Sequence, residues 1–265
     1  MVMITPSLNE LVVEASVIIM MGIGSAQDIR RREVEDYVWF IAALPLALNI
    51  YTILVGSALI EPRLWAVELA LLTGMGLLFY YLGLFGGADA KALIALGLSM
   101  PRPIPPFESQ IGLFGVTVFD NGVVLAVLYA ALFVLVNLFR ALLVKGYLGR
   151  YADASSRTKL GMILYAYKTS VENYMRNYYK LFLAEKPVVD TQGSVTFTPI
   201  YGVRLASDDE SFNELSALLA SGKLDPKDEI WVSQGLPLVS FMFVGMIITP
   251  FTGDLVFHLI RALVG

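Results

Sequence analysis

The chain has 265 residues, 57% of them hydrophobic and only 16% charged, with a mean hydropathy of +0.68; soluble domains carry about 25% charged residues. One buried core cannot absorb that apolar excess, so the composition predicts a membrane protein. A net charge of −4 argues against a nucleic-acid partner, the lack of cysteine excludes disulfides, thiolate metal sites and cysteine nucleophiles, and one histidine, His258, argues against polyhistidine centres and Ser–His triads.

Six apolar runs follow in chain order: 7–26, 37–59, 64–85, 90–100, 111–139 and 236–263. Five are long enough to cross about 30 Å of hydrocarbon. The fourth is too short to cross straight and is expected to be re-entrant or packed inside the bundle. No basic segment precedes the first run, and Glu10 and Glu14 lie in its outer turns, which is unlike a secretory signal. Of the Lys and Arg residues, sixteen fall in the first, third and fifth connections, and three fall at Arg63, Arg102 and Arg261. That asymmetry predicts both termini outside and the odd connections in the cytoplasm.

The long fifth connection holds the soluble part. Its first half, 140–186, interleaves bases with Tyr165, Tyr167, Tyr174, Tyr178, Tyr179 and Phe182, and reads as an amphipathic helix near anionic lipid. Its second half shows strand-like pieces at 194–198 and 229–232 around a short helix near 210–219. The expected fold is therefore an all-α polytopic membrane protein of about six transmembrane helices, with a small α+β cytoplasmic domain between the fifth and sixth. The segments are 1–144 for the first five helices, 145–235 for the soluble domain, and 236–265 for the sixth helix and C-terminus.

Ionisable groups beside apolar runs are costly and point to function. Asp28 follows the first run, and Asp89 sits between the third and fourth runs within Gly86-Gly87-Ala88-Asp89-Ala90-Lys91; both fall at the cytoplasmic level. Two close carboxylates that share a proton can supply both the base and the acid of amide hydrolysis, without histidine, cysteine, metal or cofactor. A structural reading competes: Asp89 capping the fourth helix, and Asp28 paired with Arg31 or Arg32 in a solvated loop. The small residues before Asp89 favour function by allowing close backbone approach.

The stretch Gln27–Tyr37, QDIRRREVEDY, resembles the first-aspartate motif of type IV prepilin and archaeal preflagellin peptidases, and Gly86–Gly97, GGADAKALIALG, resembles their GxGD motif. Segments near the chain end, Asp208–Phe212, Glu229–Val232, Pro237-Leu238, Thr249-Pro250 and Gly253-Asp254, resemble the archaeal branch. The resemblance implies cytoplasm-side cleavage of short basic leaders from flagellin-like or pilin-like precursors, with Asp28 and Asp89 catalytic and no amino-methylating activity. Gly86, Gly87, Ala88 and Lys91 are expected to support the catalytic turn. Two departures stand out: Ala88 replaces the usual third Gly, and Glu35-Asp36 replace a Pro-Asn pair.

Other polar residues have simpler expectations. Asp254 and His258 belong toward the outer end of the sixth run, Asp120 and Asn121 near the outer end of the fifth as caps or solvated groups, and Glu68 in the third as a snorkelling or interhelical group. Lys91 either pairs with a site carboxylate or reaches toward phospholipid. Glu33, Glu35 and Asp36 are candidate contacts for a basic leader, and Asp208, Asp209 and Glu210 form a second acidic cluster. Two other functions use the same aspartates: a presenilin-like intramembrane protease, and an ion-coupled transporter with a cation site at a broken helix.

Overall fold

The computed structural model describes residues 7–56, 60–101, 112–191, 193–200 and 209–265. Two compact units emerge, Met1–Val127 with Pro237–Gly265, and Leu128–Leu236.

The first unit opens with α1 (Leu8–Arg31), whose start is fixed by a capping box: Ser7 and Glu10 exchange side-chain-to-backbone hydrogen bonds. Next come α2 (Asp36–Trp39), a 3-10 turn at Phe40–Ala42, and α3 (Ala43–Leu54). Helix α4 (Pro62–Tyr81) has Pro at its first position and Glu61 as cap, and α5 (Gly87–Ser99) is a short helix after it. Helix α6 (Phe114–Leu143) runs from this unit into the second. The unit closes with α10 (Leu238–Thr252) and α11 (Leu255–Val264).

Among the described residues, four stretches are long and apolar enough to cross a membrane: α1, Asp36–Leu54, α4 and α6. Helices α10 and α11 make a fifth if taken as one span bent by 62°. Helix α5, with 13 residues, is the short fourth run; most of its residues are buried, and it packs chiefly against α4. Glycines permit that approach, since a Cβ on Gly76 would stand 3.1 Å from Ala90 O and one on Gly97 3.2 Å from Leu69 Cα. The C-terminal carbonyls of α5 are satisfied from neighbouring helices, Gly97 O by Trp65 Nε1 at 2.8 Å and Ser99 O by Asn49 Nδ2 at 2.9 Å. Buried backbone acceptors need such partners away from water.

The sixth apolar run is not one straight helix. Gly253 breaks it with a positive φ of 72°, and Asp254 caps α11 by accepting from Phe257 N at 2.9 Å. Asn121 fills the break: its amide donates to Thr249 Oγ1 and Gly253 O, both at 2.8 Å, and its Oδ1 accepts from Leu255 N at 2.9 Å. Asn121 is thus a buried brace in α6, not a solvated residue. Glu68 takes the interhelical role, accepting from Gly115 N in the first turn of α6.

In the second unit, α7 (Ser156–Tyr165), β1 (Tyr167–Ser170), α8 (Val171–Asn177), β2 (Leu181–Leu183), β3 (Glu185–Val189), β4 (Val195–Pro199), α9 (Asp209–Ala220) and β5 (Glu229–Gln234) follow one another. Strands β1, β5 and β2 form an antiparallel sheet in that order, while β3 and β4 form a hairpin. The second-half expectations appear here as β4, α9 and β5. The single amphipathic helix expected over 140–186 does not; that stretch alternates helix and strand. Tyr174, at 1% exposure, faces inward among Val171, Leu215 and Ile230, with Tyr167 and Tyr178 packed against the same cluster, because the sheet needs a face to bury. Glu185 is fully buried; it accepts from Tyr151 Oη at 2.7 Å and Trp231 N at 3.0 Å, with Arg150 at 3.4 Å. Asp208 and Arg102 lie outside the described residues.

Candidate active site

Asp28 lies in the last turn of α1 and is 5% exposed. Helix α1 ends at Arg32, whose N–H donates to Asp28 O at 3.0 Å and whose backbone is left-handed, φ 58° and ψ 15°. Arg32 is the one non-glycine with positive φ among the described residues. A side chain in that conformation costs roughly 1–2 kcal/mol. The turn brings the guanidinium back onto its own helix, with Nη1 4.0 Å from Asp28 Oδ1 and both side chains largely buried. Asp28 is therefore paired with Arg32 as one reading of the sequence had it, but inside the protein and not in a solvated loop.

The other face of Asp28 meets the start of α10. Asp28 Oδ2 accepts from Ser240 N at 3.3 Å and Ser240 Oγ at 3.4 Å, and the same hydroxyl lies 3.2 Å from Ser25 O. The Ser240 amide is shared with Pro237 O at 3.0 Å. One residue earlier, the Val239 amide is directed at both Asp28 and Asp89. The opening amides of a helix lack partners four residues back and carry its positive pole, so they favour carboxylates. Helices α1 and α10 are held together by close packing, with Gly24 admitting Val239 and Trp39 at 3.4 Å from where a Cβ would be.

Asp89 sits in the first turn of α5, half-buried, and its Oδ2 accepts from Gly86 N at 3.0 Å. The capping role is thus real, and it leaves the carboxylate close enough for the charges of Asp28 and Arg32 to act on it. A Cβ on Gly86 would stand 3.4 Å from that oxygen. Ala88 lies inside α5 without a positive φ, so the usual glycine is not needed for backbone reasons at that position.

Lys91 pairs with Asp36, Nζ to Oδ1 at 2.5 Å, so it takes neither site aspartate. Gln27 holds the intervening turn, donating to Tyr37 Oη at 2.8 Å and accepting from Glu35 N at 2.9 Å. These two bonds fix the chain before α2, where Glu35-Asp36 stand in place of the Pro-Asn pair. Glu33 and Glu35 are exposed beside it. Asp254 lies at the opposite end of α10 from Ser240, and His258 is exposed on α11. Among the described residues no group of three or more His, Asp or Glu is placed to hold a metal.

Sequence comparison places these residues in a wider context. The profile of the type IV leader peptidase family matches residues 15–139, which include both aspartates, and that of the archaeal peptidase A24 C-terminus, type II, matches residues 158–255, which include Val239 and Ser240. The chain belongs to the type IV leader peptidase family. It is a membrane-embedded peptidase of that family. Among similar proteins are preflagellin peptidases of Methanococcus maripaludis, 28% identical over 88% of this chain and 91% of the relative, and of Methanococcus voltae, 27% identical over 90% and 94%. A third, from Methanocaldococcus jannaschii, is 22% identical over 92% and 94%.

The family profile spans the segment with the motifs read from the sequence. Reasoning from sequence missed the α10 contribution, since Val239 offers only a backbone N–H; Pro237, a stop before an apolar run, was the available signal. It also missed the inward turn of Arg32, which looked like one of three solvated arginines.

Proposed function

We propose that this leader peptidase is a multi-pass aspartic endopeptidase that removes short basic leaders from flagellin-like or pilin-like precursors at the cytoplasmic side of the cell membrane, with Asp28 and Asp89 as its acid–base pair. The observation that carries this reading is the Val239 amide directed at both carboxylates, each also within reach of the Arg32 charge. One carboxylate takes a proton from water as its oxygen attacks the scissile carbonyl carbon; the other, protonated, donates to the carbonyl oxygen. Collapse of the tetrahedral intermediate breaks the C–N bond, and the leaving nitrogen takes a proton from the pair. No covalent enzyme intermediate forms. The two carboxylates titrate jointly, and neither role is assigned to one residue.

The charge asymmetry of the connections supports six membrane-inserted helices, α5 being the short one, with both termini outside and the site toward the cytoplasm. Glu33 and Glu35 offer negative charge to a Lys- or Arg-rich leader. The apolar segment that follows the cleavage point lies in the surrounding membrane lipid. The test is cleavage of a flagellin-like precursor in proteoliposomes by Asp28→Asn and Asp89→Asn variants. Each is expected to insert normally and to lose cleavage, because the amide can act as neither acid nor base. Near wild-type turnover by either variant would overturn the assignment.

A further inference from the structure

Five other helices among the described residues end, within two residues of their last turn, on a glycine with positive φ: Gly56 after α3, Gly83 after α4, Gly222 after α9, Gly253 after α10 and Gly265 after α11. Glycine is the low-cost residue for that conformation. Helix α1 alone among these closes on an arginine, and the strained turn aims a largely buried cation at Asp28. Helix termination does not require that choice. The neighbouring carboxylates give it a reason, because two like charges brought together repel and an adjacent cation offsets the repulsion.

We propose that Arg32 is a positioning residue of the carboxylate pair, its left-handed backbone directing the guanidinium to orient Asp28 and to offset the repulsion between the two carboxylates. The proposal rests on reading Asp28 and Asp89 as the acid–base pair. Other charged groups leave the role to Arg32. Helices α3 and α10 carry no charged side chain. From α5 come Asp89 itself and Lys91, which is engaged by Asp36. In α4, Glu68 is bound to Gly115 N and Arg63 lies in the first turn. Arg30, Arg31, Glu33 and Glu35 are exposed.

Full-length Arg32→Gly, Arg32→Gln and Arg32→Lys variants in proteoliposomes test this. Glycine relieves the backbone and removes the charge. Arg32→Gly and Arg32→Gln are expected to lower kcat about tenfold with KM changed less than twofold, and to displace the acid limb of the rate profile upward by about one pH unit. Arg32→Lys is expected to keep the limb in place and recover most of the rate. If Arg32 only terminates the helix, Arg32→Gly keeps the wild-type rate and profile, and the proposal fails. It also fails if Arg32→Lys shifts the limb as far as Arg32→Gly. For variants too slow to assay, carbodiimide labelling of Asp28, which needs the protonated carboxyl, is followed against pH by mass spectrometry. Labelling extending to higher pH in Arg32→Gly is expected; an unchanged profile overturns the role of Arg32. That readout is independent of cleavage, so activity in Asp28→Asn sinks the acid–base reading while the labelling still judges Arg32.

Discussion

Lys91 Nζ lies 2.5 Å from Asp36 Oδ1, an ion pair between the residue two places after Asp89 and the residue eight places after Asp28. Both side chains are substantially exposed, at 48% and 74%, and such pairs contribute about 0–1 kcal/mol. The pair matters more for charge than for stability. It cancels Asp36 and, on the proposed function, leaves Glu33 and Glu35 as the exposed acidic groups of this turn that a basic leader would meet. The Glu33→Gln/Glu35→Gln double variant is therefore expected to raise KM for a Lys-rich leader several-fold at low salt, whereas Asp36→Asn has less effect. Steady-state kinetics at two ionic strengths checks this, since added salt should erase the difference.

Ser240 tests the α10 contribution separately. Its hydroxyl is one of two Ser240 donors to Asp28 Oδ2, and Ser240→Ala removes it while keeping the amide. A lost hydrogen bond of about 1 kcal/mol corresponds to roughly a fivefold fall in kcat. No change in kcat would leave orientation to the backbone amides alone.

Chelation gives a third outcome. With no group of three His, Asp or Glu placed around a metal among the described residues, cleavage in EDTA is expected to match the untreated rate. Loss reversed by a divalent ion would overturn the two-carboxylate mechanism.

The second unit has its own pH signature. Burial pushes the Glu185 carboxyl above its usual range, against the pull of Tyr151, Trp231 N–H and Arg150. The folded state then holds this proton more tightly than the unfolded chain. Stability from this group is greatest below the usual glutamate pKa and falls as pH rises from there through the raised value. Glu185→Gln is expected to remove that slope in thermal unfolding followed by tryptophan fluorescence. Glu185→Ala, which strands the Trp231 N–H and Tyr151 hydroxyl, is expected to cost about 2 kcal/mol.

Much of the architecture was legible because it rests on length and hydropathy: the long spans, the short α5, and the strands β4 and β5 around α9. Asp28 and Asp89 stood out because charge beside an apolar run is expensive. What escaped notice depended on backbone direction or on inward packing. The Val239 amide has no side-chain chemistry to mark it. The turn at Arg32 hides a cation that composition places in solvent. Tyr165, Tyr167, Tyr174 and Tyr178 alternate with bases as on an amphipathic helix, yet they pack around a sheet whose central strand, β5, comes from more than fifty residues later. The break at Gly253 had a local signal in Pro250, Gly253 and Asp254, but Asn121, its brace, lies 132 residues away along the chain.

Helix α10, which carries the amides facing both aspartates, has 15 residues and so a length of about 22 Å, against about 30 Å of hydrocarbon. Beyond it the chain turns by 62° instead of continuing straight. Phe251 at 84%, Val244 at 45% and Ile247 at 43% exposure give this short helix a lipid-facing side. Helix α11 completes the span at that angle, so a bilayer of different thickness is met by a change of tilt at the bend or by local deformation of the lipid, at a cost of fractions of a kcal/mol per Å. Hydrophobic mismatch thereby couples membrane thickness to the seat of Val239 and Ser240. Turnover should accordingly fall as the acyl chains of the host bilayer are lengthened at fixed headgroup, with the same precursor and the same protein, so that lipid thickness alone sets how well the chemistry is presented.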